Sequence, residues 1–200
     1  MEPHTPPAGN SPYLLDERSV PSFRRTFGRH LVRAREVRVA VARIRLSGVD
    51  LGREEVEGLR RLQVLTVAVN AQALSLEAEA LARDPERRAN LLLIRELAGE
   101  GRLEIRAAPL GGWSPDFSVF SQEGGPAALL VGPHWFQRPF PYRGPALASL
   151  HGPAAAARMT KRFQELWAEA HDVAGAVLGV LERTEARHPE PRKVGSPRAP

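Results

Sequence analysis

Two apolar, β-branched runs most constrain how this chain folds: VRVAVARIRL at residues 37–46 and LQVLTVAVN at residues 62–70. In the first run, valines alternate with small or basic residues, which is typical of a strand buried mainly on one face. The second run is almost continuously apolar, as expected of a central parallel strand. The segment between them, DLGREEVEGLRRL, predicts a short helix, so the chain alternates helices and strands from its first third onward.

The remaining segments extend this alternation. SFRRTFGRHLVRARE, from Ser22, predicts an amphipathic helix with a serine cap. Residues 71–101 predict one or two helices, with a break at Asp84-Pro85. Later segments predict a strand at 102–109, a hairpin of DFSVFS and AALLVG, a strand at 146–152, and a helix from about Pro153 to Arg187.

These elements together predict an α/β fold: a mixed β-sheet flanked by helices on both faces, in a single domain with a long C-terminal helix. The segments outside this domain are rich in proline and small polar residues. We therefore expect a disordered Pro-rich tail at 1–19, a domain at 20–186 and a second disordered tail at 187–200.

Composition narrows the functional classes. The net charge is +5, and all basic residues except Lys161 and Lys193 are arginines. Arginine binds phosphate well, so nucleic acid is a possible partner through an Arg-rich surface, although the codon bias of a GC-rich genome also explains this composition. Having no cysteine, the chain has no disulfide and no thiolate chemistry.

The sequence predicts neither a membrane segment nor a bound metal or cofactor. No apolar run approaches the roughly 18 residues of a membrane span, and the N-terminus does not have the pattern of a secretory signal. We therefore expect a soluble cytoplasmic protein that binds no membrane. The histidines do not show an HExxH or similar metal spacing, and no phosphate-binding glycine loop is evident.

The order of segments resembles a known family. VRVAVARIRLSGVDL, LQVLTVAVN, LAGEGRLEIRAAP, DFSVF, AALLVG and RFQELWAEAHDV follow one another as in a phospholipase D-like domain of the bacterial type found in nucleases and beside helicase modules. The resemblance covers about residues 20–175. It implies the α/β/α sandwich of that superfamily.

Active members of this family carry a His-x-Lys pair, an Asp a few residues later, and a Gly-Ser-x-Asn at the end of the next strand. The resemblance implies that their histidine attacks phosphorus while Lys and Asn stabilise the oxygen charge. In this chain Ser114 stands at the His position, Asp116 at the Lys position and Ser121 at the Asp position. In the next strand the glycine is kept as Gly132, but Pro133 replaces the serine and Trp135 replaces the asparagine.

These substitutions predict a pseudoenzyme: a catalytically inactive phospholipase D-like domain that acts as an accessory or regulatory binding protein, in DNA processing or defence. Single-motif members of the family usually dimerise, so the resemblance implies a homodimer or a partner protein. The alternative is a divergent phosphodiesterase or nuclease that uses a displaced histidine, either His134 or His151.

Aromatic and basic residues cluster around the same region of the sequence. We expect them to form a binding surface in two loops near one edge of the sheet; these residues are Trp113, Trp135, Arg138, Tyr142 and Arg143. Such residues stack on bases or grip a protein partner, but large rings also fill a vacated pocket. The first predicted helix carries a second basic face, formed by Arg24, Arg25, Arg29, Arg33 and Arg35, which is either solvated or phosphate-binding.

Overall fold

The structure, a computed structural model, describes residues 13–15, 20–46, 51–108, 116–132 and 148–189. Within these residues the strands are β1 (Tyr13–Leu15), β2 (Glu36–Arg43), β3 (Arg61–Ala68), β4 (Leu103–Ala107), β5 (Asp116–Gln122), β6 (Gly125–Val131), β7 (Ala148–His151) and β8 (His171–Asp172). The helices are α1 (Val20–Arg33), α2 (Arg53–Val56), α3 (Ala71–Ala82), α4 (Pro85–Gly99), α5 (Pro153–Glu169) and α6 (Ala174–Arg187). No described helix has the length and apolar character needed to cross a lipid bilayer.

The described strands form one mixed sheet in the order β1-β7-β6-β5-β2-β3-β4-β8. β2, β3 and β4 are parallel, while the other pairings are antiparallel. β2 lies inside the sheet between β3 and β5, and its residues Val39 and Ala40 have no exposed surface although they point to opposite faces. The mixed sheet that the sequence predicts is confirmed.

Alternation along the strands separates two apolar layers. Val37, Val39 and Val41 pack in a cluster with side chains of α1, α3, α4 and α6, on what is termed the helix-rich face. Ala40, Leu65 and Phe117 point the other way and pack under α5, on the α5 face. Helices thus cover both faces of the sheet, as the sequence predicts.

α5 crosses the strands of the sheet. It begins directly after β7, and near its end Trp167 accepts a hydrogen bond from Arg106 of β4 on its backbone oxygen, at 3.1 Å. The Arg106 guanidinium also lies over the Trp167 ring, 4.8 Å from its centroid. Because β6, β5, β2 and β3 separate β7 from β4, one helix spans most of the α5 face.

The C-terminal segment differs from the sequence expectation. The predicted helix from about Pro153 to Arg187 is divided into α5 and α6 by the two-residue strand β8. At this point the chain passes around the edge of β4, where the Val173 N–H donates to the Ile105 oxygen at 3.0 Å. Asp172 then accepts from the Ala174 N–H at 2.7 Å and begins α6. The break is necessary because α5 packs on one face of the sheet and α6 on the other.

The N-terminal tail also differs in part. Residues 13–15, which fall within the predicted tail at 1–19, form β1 and pair antiparallel with β7. At the other end, His188 follows α6 and contacts Glu79 of α3, with 2.9 Å between Nε2 and a carboxylate oxygen. Arg187, the first residue of the predicted tail at 187–200, ends α6 instead. Apart from Arg187, His188 and the residue after it, the rest of both predicted tails lies outside the described residues.

Removing the Phe163 ring tests the α5 face. Phe163 is fully buried, stacks on Trp167 at 5.3 Å between centroids and meets Phe117 edge-on at 6.4 Å. We expect Phe163→Ala to lower the free energy of unfolding by about 3–5 kcal/mol, because it leaves a cavity between helix and sheet. Urea denaturation followed by circular dichroism measures this loss. The exposed neighbour Gln164→Ala is the control, and a cost below about 1 kcal/mol for Phe163→Ala would contradict this packing.

Acid should weaken the docking of α1. His30 lies 5.4 Å from the Phe120 ring, and burial, followed by the charges of Arg33 and Arg29, lowers the pKa of His30 below its ordinary value of 6.5. The unfolded chain therefore binds a proton that the folded chain excludes, so stability is lost as pH falls below about 6.5. We expect His30→Leu to remove this part of the pH dependence of the unfolding free energy. An unaltered pH profile in His30→Leu would contradict the assignment.

Candidate functional site

Two of the motif positions meet where the parallel strands end. Asp116 is the first residue of β5 and pairs with Val41, near the carboxyl end of β2. Gly132 follows β6, and its N–H donates to the Asp116 backbone oxygen at 2.8 Å. The φ angle of Gly132 is 139°, in a region that favours glycine. The hairpin therefore brings together Asp116 and Gly132, the residues that the sequence predicts at the Lys and glycine positions.

Register places a cation near Asp116. Arg43 is the last residue of β2, two residues beyond the Val41 that pairs with Asp116. By strand alternation both Arg43 and Asp116 belong to the helix-rich face. They are diagonal neighbours on adjacent antiparallel strands, and the Cα atoms of such neighbours are about 7–8 Å apart. Arg43 is exposed and forms no ion pair with any residue that the structure describes. Sequence reasoning missed Arg43, since only the β2–β5 register reveals the diagonal.

Ser121, which the sequence predicts at the Asp position, has a different environment. It lies at the far end of β5, opposite Glu36, and is 5% exposed. Its Oγ accepts a hydrogen bond from Arg38 Nη1 at 3.1 Å, and Arg38 Nη2 donates to Glu36 at 2.5 Å. Five residues of strand separate Ser121 from Asp116, about 17 Å. Ser121 thus holds a buried guanidinium, at a distance from the other motif positions.

Arg38 is itself a residue that sequence reasoning did not single out. It is 9% exposed, and its Nε is the buried side-chain nitrogen without a hydrogen-bond partner in the described part of the chain. A charged group this deeply buried depends on each remaining acceptor. The one sequence signal was its position, as an arginine inside the apolar run VRVAVAR.

His151 lies apart from Asp116. It ends β7 and pairs with Leu129, and its neighbours Ala148 and Leu150 belong to the helix-rich face. By alternation His151 points to the α5 face, whereas Asp116 belongs to the helix-rich side. Its Nε2 lies 2.8 Å from the Oγ of Ser149, and both residues are partly buried. The structure therefore assembles a hydroxyl–imidazole pair on the opposite side of the sheet from Asp116.

The other predicted site residues lie outside the described residues. They are Trp113, Ser114, Pro133, His134, Trp135, Arg138, Tyr142 and Arg143. Among the residues that are described, no group of three or more His, Asp or Glu side chains could hold a metal ion.

Comparison with known proteins finds similarity at the level of structure. No protein-family model and no curated protein matches the sequence. Among solved structures, the chain is similar to TrmBL2, an archaeal chromatin protein, with a TM-score of 0.47 and 13% identity over 85% of this chain and 56% of that one. It is similar to Nuc from Salmonella typhimurium, a phospholipase D family member, with a TM-score of 0.46 and 9% identity over 82% of this chain and 99% of that one. It is also similar to NucT from Helicobacter pylori, with a TM-score of 0.47 and 10% identity over 82% of this chain and 99% of that one.

Proposed function

We propose that this chain is a catalytically silent phospholipase D-like domain that acts by binding, as an accessory or regulatory subunit. One observation carries the proposal. Asp116, whose backbone oxygen accepts from Gly132, brings a carboxylate to the position where the resemblance implies a lysine.

The charge at this position decides the chemistry. In the family, a lysine there offsets the negative charge of the phosphodiester as it is attacked. A carboxylate about 4 Å from a phosphate oxygen instead costs about 1 kcal/mol in water and several kcal/mol at lower dielectric. Arg43 lies on the diagonal and offsets part of this charge, but it does not take the lysine position. The site therefore disfavours the transition state that the family stabilises.

The environment of Ser121 supports the same proposal. The hydroxyl accepts from a buried arginine whose other acceptor is Glu36. This end of β5 has a structural hydrogen bond where the family has its acid. The motif position is thereby tied to the packing of β2 and β5.

The accessory role extends to partners. The chain acts as a homodimer or beside an active relative, in DNA processing or defence, as its resemblance to the family implies. The aromatic and basic residues Trp113, Trp135, Arg138, Tyr142 and Arg143 are proposed to contact the partner or nucleic acid.

A second candidate is a divergent phosphodiesterase that uses His134 or His151. The hydrogen bond between Ser149 and His151 favours it, because an imidazole at 2.8 Å is placed to accept the proton of an attacking hydroxyl. Since His151 lies on the α5 face, such a site would be separate from the family's motif.

Hydrolysis assays separate the two candidates. We expect no turnover of bis-p-nitrophenyl phosphate or single-stranded DNA, with or without divalent metal ions, because the site lacks a lysine and a histidine at the motif positions. The second candidate predicts turnover that disappears in His134→Ala or in His151→Ala. Activity lost in either variant would refute the silent domain, and Ser149→Ala would then test whether the hydroxyl is the nucleophile.

Substitution of the buried pair tests the structural role of Ser121. Ser121→Ala should lower the unfolding free energy by about 1–3 kcal/mol, because it leaves a buried guanidinium N–H without an acceptor. Adding Arg38→Met should recover much of this loss, since the unsatisfied charge is then removed as well.

Thermal and urea denaturation of the single and double variants give these differences. The exposed Gln122→Ala serves as the control and should stay within about 0.5 kcal/mol of the parent. A neutral Ser121→Ala, or a double variant less stable than the two single changes together, would contradict the structural role.

A further inference from the structure

The end of α1 meets the turn that precedes β3, and arginines from both segments share this surface. The Arg35 backbone oxygen accepts from the Arg60 N–H at 2.7 Å, so the two segments are in direct contact. Arg29 and Arg33 lie one turn apart on α1, immediately before this contact. Arg29, Arg33, Arg35 and Arg60, with Val32, are termed the amino-end surface, because they lie at the amino ends of β2 and β3.

Three of these cations are not neutralised. Arg29, Arg33 and Arg60 are exposed, and none of them forms an ion pair with any residue in the described ranges. Elsewhere on the described surface, arginines such as Arg61 and Arg53 are bonded to glutamates. The amino-end surface therefore concentrates charge that the fold itself does not use.

Arg35 is held in place within this surface. Its Nη1 donates to the Gly58 oxygen at 3.1 Å, and a Cβ at Gly58 would lie only 3.2 Å from that nitrogen. Its Nη2 reaches Glu123 at 3.4 Å, but the Glu123 side chain is 74% exposed, so this pair is weak. Glu57 is the other exposed acid of the turn before Arg60. Glu36, next to Arg35, is bonded to Arg38, so four guanidinium groups against the carboxylates of Glu57 and Glu123 leave the surface positive.

The chemistry of this surface fits an extended polyanion. One guanidinium group can donate two parallel hydrogen bonds to the oxygens of a phosphate. Several exposed arginines on one surface can therefore contact successive phosphates of a nucleic-acid backbone. Val32, 56% exposed, lies among them, so the surface is an open patch of cations around an aliphatic side chain. We propose that the amino-end surface binds the phosphate backbone of a nucleic acid.

This surface adjoins Ser121, whose backbone oxygen accepts from the Arg35 N–H at 2.8 Å, but it is distinct from Asp116 and Gly132. Glu36, next to Arg35, pairs with Ser121, whereas Val41, five residues on, pairs with Asp116. The amino-end surface is therefore about 17 Å of strand away from Asp116. Binding of nucleic acid at this surface does not depend on whether the motif is catalytically active. The inference therefore goes beyond the proposed function, and it stands even if the proposed function is wrong.

The test removes the three unpaired cations. The full-length chain and its Arg29→Gln/Arg33→Gln/Arg60→Gln variant are titrated against a fluorescein-labelled 20-nucleotide DNA, single-stranded and duplex, between 50 and 200 mM salt. If all three contact duplex phosphates, wild-type affinity falls by at least about 40-fold over this range. In the variant the slope of log affinity against log salt should be shallower by about 2.7, and affinity at low salt should drop at least about tenfold.

A matched variant controls for net charge. Three other exposed arginines also form no ion pair with described residues: Arg83, Arg158 and Arg183. Arg83 directly follows α3, Arg158 lies in α5 and Arg183 lies in α6, so none of them belongs to the amino-end surface. Changing all three to glutamine removes the same charge and should leave affinity within about twofold of the parent. Circular dichroism verifies that both variants are folded.

Three outcomes would overturn the inference. Equal losses in both variants would show that net charge alone drives binding. Binding that does not depend on salt, or no binding at all, would exclude contacts to the phosphate backbone. Equal affinity for polyglutamate would show a surface for acidic protein segments instead.

Discussion

The pairing of β2 with a parallel strand on one side and an antiparallel strand on the other holds this structure together. Val39 and Ala40 are buried on opposite faces of this strand, so β2 contributes to both apolar layers. Its register with β5 sets where Asp116 and Ser121 lie, and its register with β3 brings Arg35 to Arg60. Asp116 lies at one end of this set of backbone pairings, and Ser121 lies with the amino-end surface at the other end.

Local patterns in the sequence were enough to predict most of the elements. Several elements appear where they were predicted: β2, β3, the helix break at Asp84-Pro85 and the hairpin of β5 and β6. However, β2 is buried on both faces and not mainly on one, as its alternation had predicted. The break between α5 and α6 was not predicted, because apolar residues continue at helical spacing on both sides of it. α5 ends because the chain passes around the edge of β4, where β8 pairs with β4. This pairing joins residues that are far apart in the chain, so a local pattern cannot predict it. β1 was missed for the same reason, because its pairing with β7 is non-local.

In the candidate site too, local features could be predicted from the sequence and contacts between distant segments could not. The hairpin was predictable, but the contact between Asp116 and Gly132 was not, because an irregularity between Phe120 and Ser121 shifts the pairing of β5 and β6 by one residue. The bond between Arg38 and Ser121 joins residues 83 positions apart and depends on β2 lying beside β5. The diagonal of Arg43 and Asp116 depends on the same register. The face to which His151 points is also known only from the structure, because Ala148 and Leu150 of the same strand pack in the cluster on the helix-rich face.

The central claim is that the motif frame carries the wrong charge for phosphoryl chemistry, and vanadate binding tests it most directly. Orthovanadate adopts the five-coordinate geometry of phosphoryl transfer, so an active site of this kind binds it more tightly than phosphate. The account predicts no saturable binding to the parent protein by isothermal titration calorimetry. Saturable vanadate binding that disappears in His134→Ala or Asp116→Ala would contradict it.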